Sequence, residues 1–210
     1  MQPVLKNQDY SFRKLPFANF HDLIFKQVNF FGADLTAANF DNCLCIDCDF
    51  SQSILRNASL VGTDFQASSL NEADISGANL FHAKLENADL TAIISDATTK
   101  FFALHCPVKG AFLGYKKCYD HRIVQLLIPS EARRSSATTT CCRCDKAKVL
   151  SIKDMHTYKN YNEAISYVDD HFIYRVGEWV EAENFNPNRW VDSTGGIHFW
   201  LTQNEAENYL

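Results

Sequence analysis

The chain has 210 residues, 46% of them hydrophobic and 21% charged, with a net charge of −5. No run of 18 apolar residues occurs, so no membrane-spanning helix is expected. The basic excess that phosphate neutralisation requires is missing too, which argues against direct nucleic-acid binding.

That length fits one domain or two small ones. Residues 1–14 carry charges and lack an apolar stretch of signal-peptide length, so a cytoplasmic protein is expected. Val4, Leu5, Tyr10 and Phe12 in this segment suit a cap over whatever follows.

From Leu15 to Leu90 every fifth residue is large and apolar, with Cys45 the one exception. The series runs Leu15, Phe20, Phe25, Phe30, Leu35, Phe40, and then Phe50, Leu55, Leu60, Phe65, Leu70, Ile75, Leu80, Leu85 and Leu90. Helices repeat near 3.6 residues and strands near 2, so a period of five fits neither. A strict short period points to a solenoid, whose units bury their apolar sides only by stacking. Two residues before each apolar position stands a second periodic site, small from Ala33 onward. The residue between is mostly Asp or Asn, as in Asn29, Asp34, Asn39, Asp49, Asp64, Asp74, Asn79 and Asp89. Short polar side chains of this kind bond their own backbone at turns.

The pattern A-(D/N)-L-x-x stands unchanged at Ala33-Asp34-Leu35, Ala78-Asn79-Leu80 and Ala88-Asp89-Leu90. It resembles the pentapeptide-repeat family. The resemblance implies an all-β, right-handed quadrilateral β-helix of about four coils, with four pentapeptides to a coil. Positions twenty apart would then stack. Ala18, Ala38, Ala58 and Ala78 form one inner corner, and Phe20, Phe40, Leu60 and Leu80 form the column beside it.

Residues 1–95 hold 6 Lys and Arg against 11 Asp and Glu, whereas residues 96–210 hold 14 of each. The repeat is mildly acidic and the remainder neutral. Of the 8 cysteines, Cys43, Cys45 and Cys48 fall on inward repeat positions, where cysteine acts as a small hydrophobe. An intracellular setting also disfavours disulfides.

Past Leu90 the phase decays. Ser95 stands where an apolar residue is due, Asp96 to Lys100 is polar, and Phe101, Phe102 and Leu104 offer cover for the last coil. Beyond Ala111 the chain reads as a small α+β domain. Arg122 to Ile128 and Lys148 to Ile152 are expected strands. Ser130 to Ser136 reads as a short helix or turn, and Asn162 to Val168 leans to helix. Phe172 to Val176 and Glu178 to Glu181 are expected strands around Gly177. Phe185 to Asp192 reads as a loop. Ile197 to Leu201 reads as a strand, and Thr202 with Glu205 makes a capping box for a C-terminal helix. The expected divisions are therefore a cap over 1–14, the β-helix over 15–95, a linker and terminal cap over 96–110, and the α+β domain over 111–210.

One polar stretch could hold an anion. Arg133, Arg134, Ser135 and Ser136 lead into Thr138, Thr139 and Thr140, and arginines with hydroxyls can bind a phosphate or carboxylate. The competing reading is a solvated loop between strands. Tyr174 and His198 are the partners such a site could use, since alternation turns His198 away from Ile197 and Phe199. Cys141, Cys142 and Cys144, even with Cys106, Cys118, His105 or His121, match zinc spacing poorly. No metal, cofactor or catalytic set is therefore assigned.

The second half also resembles an uncharacterised domain found C-terminal to pentapeptide repeats in bacterial and phage proteins. Its carrying residues are Ala132 to Ser136, Lys146 to Leu150, Tyr174 to Glu178 and Gly196 to Phe199, with Glu205-Ala206-Glu207. This resemblance implies no known activity. The leading expectation is thus a non-enzymatic interaction or scaffold protein whose partner is another protein, with homodimerisation open. One alternative is a ligand-binding or enzymatic second domain built on Arg133 to Ser136. The other, drawn from the first resemblance, is a DNA mimic acting on an enzyme such as gyrase.

Overall fold

The computed structural model describes residues 2–209. The chain divides into two compact units, one ending at Ala103 and the other beginning at Leu104.

The first unit is a parallel ladder in which residue i pairs with residue i+20. Strands β1 (Val4–Lys6), β2 (Ile24–Lys26) and β3 (Leu44–Ile46) pair in that order. Single bridges continue the register from Asp9↔Asn29 to Asp74↔Ile94. Residues 4–14 lie inside this ladder, with Val4 opposite Ile24 and Lys14 opposite Asp34. The expected cap is therefore a coil in its own right.

Stacking explains the period of five. Phe25, Phe30, Leu35, Phe40, Phe50, Leu55, Leu60, Phe65, Leu70, Ile75 and Leu80 are all 0% exposed. Rings one coil apart lie over each other. Phe30 and Phe50 stack at 4.8 Å and 16°, and Phe20 and Phe40 are also 4.8 Å apart. Cys43, Cys45 and Cys48 are buried among them. The small corner positions Ala33, Ala38, Ala58, Ala73 and Ala78 are buried as well.

The Asp and Asn residues serve the turns. Asp34 Oδ1 accepts the Thr36 amide at 3.1 Å, Asn39 that of Asp41 at 2.8 Å, Asp49 that of Ser51 at 2.8 Å and Asp89 that of Thr91 at 3.0 Å. Two residues after each apolar position the backbone turns left-handed, as at Asn7 (φ 54°), Asn42 (φ 57°) and Ala92 (φ 52°). Gly32 takes this position where the Phe12 ring lies overhead. A Cβ there would stand 2.8 Å from Phe12 Cδ1.

The register slips by one residue at the far end, where Asn79 pairs with Lys100. Asp96 absorbs the extra residue. Its Oδ1 accepts the Thr98 hydroxyl at 2.7 Å, the Thr98 amide at 2.9 Å, the Thr99 amide at 3.0 Å and the Gly77 amide at 3.2 Å. The Thr98 hydroxyl above all holds the carboxyl at about 2, below the ordinary 3.8. A depressed folded-state value means the bonding is fully present above pH 3.8 and is lost as pH falls through about 2. Hydrogen exchange at the Gly77, Thr98 and Thr99 amides is expected to accelerate across that window. In Asp96→Ala, which removes the acceptor, the acceleration should already be present at neutral pH, with no acid step.

The second unit is almost wholly β. Its strands are β4 (Phe112–Cys118), β5 (Arg122–Ile128), β6 (Arg134–Ser136), β7 (Cys142–Cys144), β8 (Lys146–Asp154), β9 (Asn160–Tyr161), β10 (Glu163–Ile165), β11 (Ile173–Arg175), β12 (Trp179–Glu181) and β13 (Ile197–Phe199). One sheet has the order β12-β8-β5-β4, with β9 beside β8. A second has the order β13-β7-β6, and β10 and β11 form a hairpin. The main apolar cluster draws on both larger sheets, through Val124, Leu126, Ala147 and Val149 and through Cys142, Cys144, Ile197 and Phe199. Gly114 lets Phe199 approach β4, since a Cβ there would lie 2.7 Å from the Phe199 ring.

The α+β expectation is corrected on two segments. Within the stretch expected as helix or turn, Arg134–Ser136 is a strand paired with β7. Glu163–Ile165 pairs with Ile173–Arg175, and burial alternates over Ala164 and Ser166, which is the period of a strand. Helix is confined among the described residues to α1 (Gln203–Glu207). It opens on the expected capping box, with the Glu205 amide donating to Thr202 Oγ1 at 3.2 Å and the Thr202 amide to Glu205 Oε2 at 3.0 Å.

Candidate functional site

The hydroxyl-rich stretch is buried rather than solvated. Ser135, Ser136, Thr138 and Thr139 are each less than 10% exposed. Pairing sets its geometry. Ser135 on β6 faces Arg143 on β7, which in turn faces His198 on β13. Direct cross-strand partners share a sheet face. Ser135, Arg143 and His198 therefore form a row, while Arg134, Ser136, Cys142, Cys144, Ile197 and Phe199 occupy the opposite face.

The row is held by main-chain oxygens. Arg143 is 2% exposed. Its Nε donates to Asn186 O at 3.3 Å, its Nη1 to Asp192 O at 3.5 Å and its Nη2 to Asn188 O. His198 Nε2 lies 2.8 Å from Thr194 O. A carbonyl only accepts, so Nε2 carries the proton and Nδ1 keeps its lone pair. Cys141 Sγ stands 3.6 Å from that Nδ1. The buried ammonium of Lys116 donates to His198 O at 3.3 Å.

Electrostatics keep the thiol and imidazole neutral. Burial lowers the affinity of His198 for a proton, and the nearby Lys116 and Arg143 charges lower it further. The Cys141 thiol is pushed up to about 12, by burial first and then by Asp192. Burial also weakens the hold of Lys116 on its proton. A nucleophilic cysteine needs the opposite balance, a thiolate favoured by its surroundings.

Of the residues read from sequence, Ser135 and His198 thus share one face, joined through Arg143. Arg133 instead pairs with Asp145, Nε to Oδ2 at 2.7 Å, and lies over the Phe185 ring at 5.0 Å. Arg134 donates to Ala132 O, Pro107 O, Gly110 O, Pro129 O and Ser130 O. Ser136 Oγ accepts the His105 amide at 2.8 Å. Tyr174 is 1% exposed within the main cluster. Sequence reading weighed Cys141 only as a zinc ligand, left Arg143 outside the site residues and did not single out Lys116. Arg143 had no usable signal, since three residues, Cys142–Cys144, are too few for alternation to set it opposite both cysteines. Lys116 had none either, because a lysine followed directly by Lys117 reads as surface.

Among the described residues, Asp169, Asp170 and His171 form the one group of three potential metal ligands, and all three are exposed. No helix among the described residues is long and apolar enough to cross a membrane.

Two family models match the chain. One, described as pentapeptide repeat region, covers residues 18–93, and the other, described as family of unknown function (DUF5758), covers residues 102–206. No curated protein matches significantly. Solved structures resemble the repeat. A pentapeptide repeat protein from the thylakoid lumen of Arabidopsis thaliana is 27% identical over 44% of this chain and 63% of its own, with a TM-score of 0.42. Another, from Nostoc PCC 7120, is 25% identical over 43% of this chain and 76% of its own, with a TM-score of 0.32. QnrB1, a plasmid-mediated fluoroquinolone resistance protein, is 14% identical over 44% of this chain and 62% of its own, with a TM-score of 0.21.

Proposed function

The chain belongs to the family of unknown function DUF5758 and carries a pentapeptide repeat region, and from that premise we propose that it is a non-enzymatic interaction protein. Its repeat is a right-handed, four-sided β-helix. The twenty-residue register and a left-handed turn every fifth residue support that geometry.

The carrying observation is the first coil. Val4, Phe12 and Phe17 are 51%, 71% and 77% exposed. Leu5, Tyr10, Leu15 and Phe20 are only half-buried there, whereas Phe25, Phe30, Leu35 and Phe40, one coil on, are sealed. Large apolar side chains exposed on one coil are what a protein partner covers, and the partner is another protein or a second copy of this chain. Eight free thiols suit a reducing, cytoplasmic setting.

The polar cluster of the second unit supports the same reading from the other side. Its cations are engaged with main-chain oxygens and its thiol is protonated, so an enzymatic or ligand-binding role for Arg133 to Ser136 draws less support. DNA mimicry also draws less, because no column of the repeat is acidic throughout. One reads Asp9, Asn29, Asp49, Ser69, Asp89 and another Lys14, Asp34, Ile54, Asp74, Ile94.

The test is Phe12→Ser with Phe17→Ser. Self-association in sedimentation, or capture of one defined host protein, is expected in the parent chain and lost in the double variant. A turnover activity that disappears in Arg133→Ala or His198→Ala, with the Phe12/Phe17 variant fully active, would overturn the proposal.

A further inference from the structure

Two histidines on separate turns of the second unit meet ring to ring. Antiparallel pairing of β5 with β8 ends at Arg122 opposite Asp154. Just beyond that pair, the Met155 amide donates to His121 O at 2.8 Å. The turn after β4 and the turn after β8 therefore leave the sheet side by side. The imidazoles they carry, His121 and His156, lie 5.1 Å apart centre to centre, with 57° between their planes. Both residues are exposed.

Local bonds fix each turn. The Arg122 amide donates to Tyr119 O at 3.3 Å, and Asp120 and His121 between them are left-handed, at φ 57° and 55°. Glycine is usual at the second place of such a turn, so histidine there carries a steric cost. In the other turn Asp154 Oδ1 accepts the His156 amide at 2.9 Å and the Thr157 amide at 2.7 Å.

The ring nitrogens of this pair differ from those of most other histidines in the chain. His21 lies against Asp22, His105 against Glu205, His171 against Asp170 and His198 against Thr194 O. Among the described residues, the rings of His121 and His156 make no hydrogen bond or ion pair and meet only each other. Two neighbouring cations are drawn elsewhere. Arg122 reaches Asp120 at 3.4 Å and Glu163 O at 2.8 Å and lies over the Tyr161 ring at 4.3 Å, and Lys159 lies over the same ring at 5.3 Å.

Neutral imidazole is a ligand for zinc, nickel and copper. With metal–nitrogen bonds of about 2.0–2.1 Å at tetrahedral angles, two imidazoles on one ion have centres about 5 Å apart. The observed separation meets that requirement without movement of either turn. We propose that His121 and His156 chelate one divalent ion of the zinc class per chain, each through one ring nitrogen, with water in the open positions. Two protein ligands make this an open site, unlike the closed four-ligand sites that hold small folds together.

The test adds zinc chloride to the reduced full chain and follows the histidine ring protons by NMR. The His121 and His156 signals should move together and level off at one zinc per chain, while those of His198 stay in place. Losing either ligand reduces the chelate to a single bond, so His121→Gln and His156→Gln should each weaken binding about a hundredfold in calorimetry. Both side chains are at the surface, and the amide spectrum shows whether each variant keeps the fold. His171→Ala should bind zinc as the parent does, which separates the pair from the exposed group of Asp169, Asp170 and His171. No response of the two rings to excess zinc would overturn the proposal. Unchanged zinc affinity in both glutamine variants would overturn it too, as binding by the thiols or by the Asp169 group predicts.

Discussion

Truncating Phe40 to alanine is expected to destabilise the repeat by about 3–5 kcal/mol, the usual range for a buried aromatic side chain. Phe40 is 0% exposed. Its ring lies 4.8 Å from Phe20, 5.9 Å from Phe25, 5.8 Å from Phe30 and 5.7 Å from Phe50. It touches coils on both sides, so the cavity it leaves borders three levels of the stack. Each coil of a solenoid is stable mainly through its neighbours, so the loss should spread along the ladder rather than stay local. Chemical denaturation followed by far-ultraviolet circular dichroism gives the measurement. Phe17→Ala is the matched control. Its ring is 77% exposed, and its removal should change stability by no more than about 0.5 kcal/mol. Equal effects from the two truncations would mean that the column is not the core.

The sequence made this column readable because a solenoid repeats one environment many times. A substitution at one register, such as Cys45 for Leu, is outvoted by its neighbours. The same redundancy hid the first coil. Ala18 and Leu23 keep the phase, but Leu5 and Tyr10 are also in step, and bulky outward residues such as Val4 and Phe12 disguised that segment as a cap. The one-residue slip before Lys100 was visible as Ser95 in an apolar position, although the role of Asp96 in holding it needed coordinates. In the second unit nothing repeats. β6, β7 and β13 are three residues each, too short for alternation to be told from chance, and they pair across long stretches of chain. The row of Ser135, Arg143 and His198 exists only through that pairing. Sequence spacing grouped Arg133 to Ser136 because they are consecutive, whereas a strand sends consecutive side chains to opposite faces.

That row leads to the second large effect. Arg143→Ala is expected to cost about 3 kcal/mol, since it removes three bonds from a charged donor, each worth about 1.5–3 kcal/mol, and the carbonyls of the exposed Asn188 and Asp192 recover part of that from water. Those carbonyls belong to Asn186, Asn188 and Asp192, so one side chain fastens the segment between Phe185 and Gly196 to β7. Lysine should not rescue the loss. A single ammonium cannot reproduce a planar fork whose nitrogens reach separate oxygens. Hydrogen exchange should therefore rise over residues 186–196 in both Arg143→Ala and Arg143→Lys, while the repeat keeps its protection. His198 should respond as well, because its Nε2 proton is held by Thr194 O in the same segment. Losing that bond by itself would lower the midpoint, but hydration relieves burial, the larger effect, so the net shift in a proton NMR titration should be up toward that of free histidine. An unchanged His198 titration together with wild-type stability in Arg143→Lys would show that the charge alone matters and that the carbonyl clamp does not.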